Sequence, residues 1–216
     1  MRPVVKVSWD NVQQYVRWIS KLTGHRYRLL SETEWEFASR GVTSIESHVS
    51  AYSWGNDIGV GNANCTGCSE ERSINRSVPV GSFKPNAFGL FDMHGNVSEW
   101  VQDCWHEDYT NAPQDESARD DCSNNRRVIR GGSWGDTSDH ARSAWRGRFS
   151  SDLRVSFIGF RLARSPTAEK NDLQWPWPLQ KTPSQPVEER VDQETLDALD
   201  KIFEDILKEH NQKDPR

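Results

Sequence analysis

Ten tryptophan residues in an otherwise polar chain of 216 residues limit its fold more than any other feature. The mean hydropathy is −0.84, which is low for a packed domain. A buried tryptophan removes about 150–250 Å² from water, so a few of them can build a core that lacks aliphatic residues. We therefore expect a loop-rich fold with an aromatic core and well-solvated loops.

Local patterns predict two helices and several short strands. A helix capped by Asp10 is expected to end near Leu22, and a Ser31–Glu34 capping box is expected to begin a helix that ends at Arg40. The strands are predicted at Pro3–Trp9, Tyr27–Leu30, Val128–Ile129 and Phe157–Phe160. Residues 77–101 mix turns with brief apolar pieces.

The composition changes after Arg164, which predicts three parts. Residues 1–164 form the folded domain, and residues 165–191, rich in Pro, Gln, Lys and Glu, form an extended linker. Residues 192–210 carry one apolar stripe and form an amphipathic helix. This C-terminal helix either docks on its own domain or pairs with a second copy.

Bulk properties exclude some partners and leave the compartment open. The net charge of −5 does not favour nucleic acid, and no apolar run reaches the roughly 20 residues of a membrane span. No signal peptide is visible, so we expect a cytoplasmic protein or one exported without a signal in this chain. Cys65, Cys68, Cys104 and Cys122 form two disulfides or stay thiols, with a four-cysteine metal site as the weaker alternative.

The segment from Arg130 to Arg161 opens with RGGSW and closes with GFR. Between Gly135 and Phe157 it contains no Cys, Lys, Glu, Gln or Met, and its only Trp is Trp145. We expect Arg130, Trp134 and Phe160 to anchor a fixed frame around this stretch of small, polar and mixed residues.

Four motifs, in this order along residues 3–164, resemble the formylglycine-generating, sulfatase-modifying family. They are RYRLLSETEWEFASRG, GSFKPNAFGLFDMHGNVSEWVQD, RVIRGGSW and IGFRLA. The resemblance implies an α+β fold of the C-type-lectin-like kind, with short strands, two helices and much ordered loop.

The same resemblance argues against the oxidase reaction of the family. Its oxidases bind copper through two cysteines that follow RGG-Ser-aromatic, because thiolates suit Cu(I). The matching positions here are Asp136 and Ala141, so we expect no copper and no enzyme of this kind. A formylglycine-generating oxidase or derived enzyme, and a structural or regulatory module of a bacterial signalling protein, are the alternatives.

The resemblance also implies a structural calcium loop within residues 92–99. Its ligands would be the side chains of Asp92 and Glu99 and the carbonyl oxygens of Gly95 and Val97, since oxygen donors on a turn suit Ca²⁺. The alternative is an ordinary turn whose carboxylates bind backbone amides.

One branch of the family, the variable proteins of diversity-generating retroelements, carries mutated Asn codons between RGGSW and GFR. Such codons yield the residue types seen here, with the exception of Trp145. The resemblance implies a non-catalytic module whose variable surface binds a macromolecular ligand, a protein rather than nucleic acid. We expect Arg146 and Arg148 to add charge to this surface. Its predicted residues are Gly135, Asp136, Thr137, Ser138, Asp139, His140, Trp145, Gly147, Phe149, Ser150, Ser151, Asp152, Arg154, Ser156 and Phe157.

Overall fold

A computed structural model describes residues 1–41, 50–68 and 75–165 of the chain. These residues form two α-helices, α1 (Trp9–Thr23) and α2 (Glu32–Arg40), and six short strands. The mixed α+β class is confirmed. The strands are β1 (Tyr27–Leu29), β2 (Ser98–Cys104), β3 (Arg126–Arg130), β4 (Gly147–Ser150), β5 (Ile158–Phe160) and β6 (Leu162–Arg164).

Helix α1 begins earlier than its sequence pattern suggests. Ser8 is the N-cap: its hydroxyl accepts the Asn11 amide at 3.1 Å, and Asn11 accepts the Ser8 amide at 3.3 Å. The prediction of Asp10 as the cap is therefore wrong. Asp10 lies in the first turn, where a negative charge opposes the positive end of the helix dipole.

No strand forms over Pro3–Trp9, so this prediction is also wrong. Lys6 has a φ of 61°, a left-handed conformation that interrupts an extended chain. The Lys6 amide donates to the carbonyl of Val155 at 3.0 Å, and Trp9 is already helical.

Helix α2 has the predicted capping box. The Glu34 amide donates to the Ser31 hydroxyl at 3.2 Å, and the Ser31 amide donates to the Glu34 carboxylate at 2.9 Å. Trp35 is buried on the inner side of the helix, whereas Phe37 is 55% exposed. Trp35 and Phe37 are two positions apart, and side chains at this spacing in a helix point about 200° apart, so they cannot both face the core.

A four-stranded sheet and a two-stranded sheet organise the domain. The larger sheet has the order β4-β3-β2-β5, antiparallel except for the parallel pair β2-β5, and the smaller one pairs β1 with β6. Strands β4 and β5 are therefore the two edges of the larger sheet. The chain between them, residues 151–157, has to cross from one edge to the other.

Strand β2 is the centre of the larger sheet, although residues 77–101 read as turns in the sequence. All of its residues except Gln102 are buried, so the strand shows no alternation of polar and apolar residues. Its buried polar side chains have partners elsewhere in the fold. Glu99, for example, accepts the indole N–H of Trp35 at 2.7 Å.

Tryptophan dominates the core, as the composition predicts. Two clusters of buried residues occur, and partly buried hydrophobic side chains pack against them. The first contains Trp9, Val12, Val16, Leu29, Trp100, Ile129 and Ile158, and the second contains Trp35, Met93, Val101, Trp105 and Val128.

The four cysteines form the disulfides Cys65–Cys68 and Cys104–Cys122. Within the described parts of the chain, no group of three or more His, Cys, Asp or Glu side chains is arranged to hold a metal. The structure therefore has the disulfide arrangement among the alternatives left open by the sequence.

The predicted linker and C-terminal helix lie outside the described residues, apart from Ser165. The chain divides into two units, Met1–Ala168 and Glu169–Arg216, and only the first contains described residues. A search of the described helices finds none with the length and apolar character needed to span a membrane.

Asp103 in β2 should make folding stability depend on pH. Its carboxylate accepts the amides of Glu32 at 2.6 Å and Arg119 at 2.9 Å, yet burial raises its pKa to about 6. The folded state therefore keeps a proton that the unfolded state loses near pH 4. The contribution of Asp103 to the free energy of unfolding is expected to fall by about 2 kcal/mol between pH 4 and 6.5.

Urea denaturation at several pH values measures this effect. In Asp103→Asn, the loss of stability between pH 4 and 6.5 should be smaller than in the wild type by about 2 kcal/mol. Glu116→Gln, which alters an exposed acid, is the matched control and should leave the profile unchanged. Parallel profiles for wild type and Asp103→Asn would contradict the assignment.

Candidate functional site

Arg130, the first residue of the RGGSW motif, anchors the segment that follows β3. Its side chain is fully buried and donates to the carbonyl of Ser143 at 2.8 Å and to the carbonyl of Trp145. The same guanidinium binds the Glu36 carboxylate on α2 at 2.5 Å. Arg130 therefore connects helix α2 to the far end of the turn that the motif begins, as the expected anchor role requires.

Gly132 allows this turn to fold back on itself. Its φ is 67°, and a Cβ at this position would lie 2.7 Å from the carbonyl oxygen of His140. Only glycine combines this left-handed conformation with so close an approach of the backbone. The second glycine of the motif therefore has a steric role.

His94 anchors the middle of the turn. Its Nδ1 lies 2.8 Å from the carbonyl of Ala141, and its Nε2 accepts the amide of Ser53 at 3.1 Å. These two bonds require a neutral imidazole protonated at Nδ1. Burial lowers the pKa of His94, which stabilises this neutral form.

Two further backbone contacts fix the outer part of the turn. The amide of Thr66, between the paired cysteines, donates to the carbonyl of Asp136 at 2.8 Å. The hydroxyl of Tyr52 donates to the carbonyl of Ser138 at 3.0 Å. These hydrogen bonds hold the turn through its carbonyl groups. The side chains on the outer side of the turn take no part in them.

Asp136 and Ala141 occupy this turn but do not form a thiolate pair. Ala141 is completely buried, and its carbonyl is the partner of His94. One carboxylate oxygen of Asp136 accepts the amide of Ser133 at 2.9 Å and its hydroxyl at 2.7 Å. A soft ion such as Cu(I) has no sulfur donor at either position.

The predicted surface residues differ in exposure, and only some of them are open to a ligand. Ser151 is buried and donates to Asn125 at 2.7 Å. Eight residues are half-buried: Asp136, Ser138, His140, Trp145, Gly147, Phe149, Ser150 and Phe157. Six residues are exposed: Gly135, Thr137, Asp139, Asp152, Arg154 and Ser156.

Several predicted contact residues instead support the core. Trp145, Phe149 and Phe157 pack against the first core cluster, so they offer less contact area than the sequence suggested. Gly147 has no room for a side chain, because a Cβ would lie 2.5 Å from the ring of Trp145. The expected diversity of this surface is thereby restricted to its exposed positions.

Arg146 was expected on the charged surface but belongs to a buried ion pair. Its guanidinium donates to Glu32 at 2.6 and 2.8 Å, and Glu32 is almost fully buried. The rings of Trp105 and Tyr109 lie 4.6 and 4.5 Å from its central carbon. Sequence analysis missed this pair because its members are 114 positions apart.

The GFR motif holds the other end of the segment. Arg161 donates to Glu99 at 2.5 and 2.7 Å, and the edge of Phe160 contacts Tyr15 of α1 at 5.8 Å between centroids. The side chain of Glu99 also binds Trp35, so the motif is tied to the buried centre of the sheet.

The predicted calcium residues fit a cation only in part. Oδ1 of Asp92 is buried and, among the described residues, has no hydrogen-bond partner, while Oδ2 accepts the amide of Gly81 at 2.8 Å. Burial raises the pKa of Asp92. Glu99 already has its charge matched by Arg161, so an ion would have to share this carboxylate. Gly95 and Val97 are buried in the same segment.

Two cavities of the described domain are lined by residues outside the turn. One of about 500 Å³ is lined by residues of β1 and the 116–120 loop, including Arg28 and Glu34. The other, of about 400 Å³, lies along α2 between Phe37 and Tyr109. Small ligands typically occupy such concave pockets, and the exposed residues of the turn line neither of them.

The sequence is similar to those of several curated proteins. The chain is 36% identical over 166 residues to the serine/threonine-protein kinase pkn1 of Chlamydia pneumoniae, covering 76% of this chain and 24% of that protein. It is 35% identical over 183 residues to the inactive C-alpha-formylglycine-generating enzyme 2 of Mus musculus, covering 79% and 52%. The chain thus spans between a quarter and about half of these relatives.

Solved structures share the fold. PvdO from Pseudomonas aeruginosa aligns with a TM-score of 0.66 and 42% identity, covering 76% of this chain and 62% of that chain. Treponema denticola variable protein 1 aligns with a TM-score of 0.62 and 25% identity, covering 76% and 72%. The family model for the sulfatase-modifying factor enzyme 1-like domain matches residues 1–166. This chain therefore belongs to the family of sulfatase-modifying factor enzyme 1-like domains.

Proposed function

We propose that this domain is a ligand-binding module that presents variable side chains on a fixed turn, and that it does not catalyse the copper-dependent oxidation of its family. The observation that carries the proposal is the division of the turn between Gly135 and Phe157. Carbonyl groups of this segment are bound by Arg130, His94 and Tyr52, while five of the predicted surface side chains are exposed, namely those of Thr137, Asp139, Asp152, Arg154 and Ser156.

The charge of the outer positions supports a protein as the ligand. Asp139 and Asp152 are exposed and so is Arg142, so both signs of charge occur among the exposed positions of this segment. A nucleic acid would favour a uniformly basic face. Mixed polar and charged side chains on a rigid backbone are typical of surfaces that adapt to protein partners.

The relatives support this choice and one alternative. The name of the mouse relative includes the word inactive, and the Treponema denticola structure is described as a variable protein. The kinase relative from Chlamydia pneumoniae supports the alternative of a regulatory module in a bacterial signalling protein.

Removal of exposed side chains should leave the fold intact. We expect the triple variant Thr137→Ala, Asp139→Ala and Ser156→Ala to have a free energy of unfolding within about 1 kcal/mol of the wild-type value, because substitutions at exposed positions change stability little. The single variant Ser151→Ala is the matched control from the buried set and should cost about 1–2 kcal/mol through its lost hydrogen bonds. Denaturant unfolding measures both. Equal losses would contradict the division of the turn.

Gene comparison tests the diversification directly. We expect a reverse transcriptase gene nearby and an imperfect repeat of the codons for about residues 128–162, with adenines where this gene varies. The differences should fall at exposed positions such as Thr137 and Asp139, and should spare Arg130, Gly132 and Arg161. The absence of such a repeat would remove the diversification from the proposal.

An assay for the family reaction provides the enzymatic test. With copper and a CxPxR-type peptide, the domain should consume no oxygen above background, because Asp136 and Ala141 provide no thiolate. A formylglycine-generating enzyme in the same assay shows that the peptide and copper are competent. Copper-dependent oxygen uptake by this domain would overturn the proposal.

Calcium binding at Asp92 remains a proposal with its own test. A cation would satisfy the buried oxygen that has no hydrogen-bond partner, so a chelator should lower the melting temperature of the wild type. Asp92→Asn should remove this dependence, while Asp57→Asn, an exposed acid elsewhere, should preserve it. A melting temperature that does not change when the chelator is added would show that the loop is held by the Arg161–Glu99 pair without calcium.

A further inference from the structure

A short loop closed by the Cys65–Cys68 disulfide lies against the turn. The amide of Thr66, between the two cysteines, donates to the carbonyl of Asp136 at 2.8 Å, and Thr66 pairs with Thr137 in a parallel β-bridge. Backbone groups make this contact, so it does not depend on which side chains the turn carries. The loop can therefore support the turn while its exposed side chains vary.

The start of the same loop is fixed to the frame of the domain. Asn64 forms a parallel bridge with Gly95, and its carbonyl accepts the amide of Asn96 at 2.8 Å. A Cβ at Gly95 would lie 2.6 Å from the Asn64 carbonyl oxygen, so the two backbones are in direct contact. The loop thus joins a fixed segment at Asn64 to the turn at Thr66, two residues later.

The disulfide restrains the part of the loop that reaches the turn. Both cysteines are buried, whereas Thr66 and Gly67 between them are exposed. Gly67 has a φ of 80°, and a Cβ there would meet no described atom within 4 Å, so this tip has open space on its outer side. Opening the S–S bond gives a glycine-containing loop more freedom, and holding Thr66 opposite Asp136 then costs more entropy.

We propose that the Cys65–Cys68 disulfide is a redox-sensitive link that orders the turn for ligand binding. The consequence for binding rests on the function proposed above. A turn that is already ordered loses less entropy when a ligand binds, so the oxidised domain binds its ligand more tightly than the reduced one.

A dithiol is the class of reductant that opens this link. When the exposed tip moves away, a thiolate of the dithiol bonds to one cysteine sulfur as the S–S bond breaks. The second thiol of the dithiol then displaces that sulfur from the mixed disulfide. Cys65 and Cys68 are left as thiols and the dithiol becomes a cyclic disulfide, so two electrons and two protons pass to the protein.

The Cys104–Cys122 disulfide provides a matched control within the same chain. It joins strand β2 to the loop before β3, and its cysteines form none of the described hydrogen bonds that hold the turn. Its removal tests whether any lost cross-link, rather than this particular one, loosens the turn.

Amide hydrogen exchange followed by NMR measures the order of the turn. The Thr66 amide is the donor to Asp136, and the His140 amide donates to the carbonyl of Thr137 at 3.0 Å inside the turn. In Cys65→Ala/Cys68→Ala, both amides should exchange about 5-fold faster or more, after correction for intrinsic rates, as for the loss of one hydrogen bond. In Cys104→Ala/Cys122→Ala, both rates should stay at the wild-type values.

Titration of the wild-type chain with dithiothreitol gives a second measurement that needs no variant. Alkylation followed by mass spectrometry identifies which cysteines are reduced at each step. The exchange rates of the Thr66 and His140 amides should rise in step with alkylation of Cys65 and Cys68.

Two results would overturn the proposal. One is an unchanged exchange rate in the turn when Cys65 and Cys68 are alkylated or replaced, and the other is a pair that stays oxidised until the domain unfolds. Neither measurement uses a ligand, so their failure would leave the binding module intact. Failure of the diversification test would likewise leave the redox-sensitive link in place.

Discussion

The buried guanidinium of Arg130 is the interaction on which the rest of this domain depends. It is fully enclosed, it hydrogen-bonds the Glu36 carboxylate of α2 and two carbonyl oxygens of the turn, and the Glu32 carboxylate of the same helix lies 3.7 Å away. Removing one partner of such a buried charge typically costs about 3–5 kcal/mol, because the remaining groups are left without compensation. Helix α2, strand β3 and the turn are thus positioned by one side chain.

The way in which the turn is held explains how a fixed frame can coexist with the binding surface that we propose. Arg130, His94 and Tyr52 bind carbonyl groups of the turn, and the side chains of Thr137 and Asp139 take no part in these bonds. Changes at the exposed positions therefore leave the support intact. Sites such as Gly147 do not share this freedom, because the core fills the space beside them.

Prediction from the sequence succeeded where the physics is local. The capping box of α2 depends on residues within one helical turn, and so does the end of α1, which was expected near Leu22 and lies at Thr23. Strand β2 was missed because burial on both faces removes the alternation that marks a strand. The roles of His94 and Arg146 were missed because their partners lie 47 and 114 positions away.

The sequence by itself determined the frame from Arg130 to Arg161 and the absence of thiolates at Asp136 and Ala141, because these follow from residue type and order, and its resemblance to the family implied the fold class. Only the tertiary structure decided which side chains of the turn are available. Trp145, Phe149 and Phe157 pack inward and Arg146 pairs with Glu32, whereas Asp136 is turned toward His140. Exposure and pairing arise when distant segments meet, and the order of residues does not encode their separation in space.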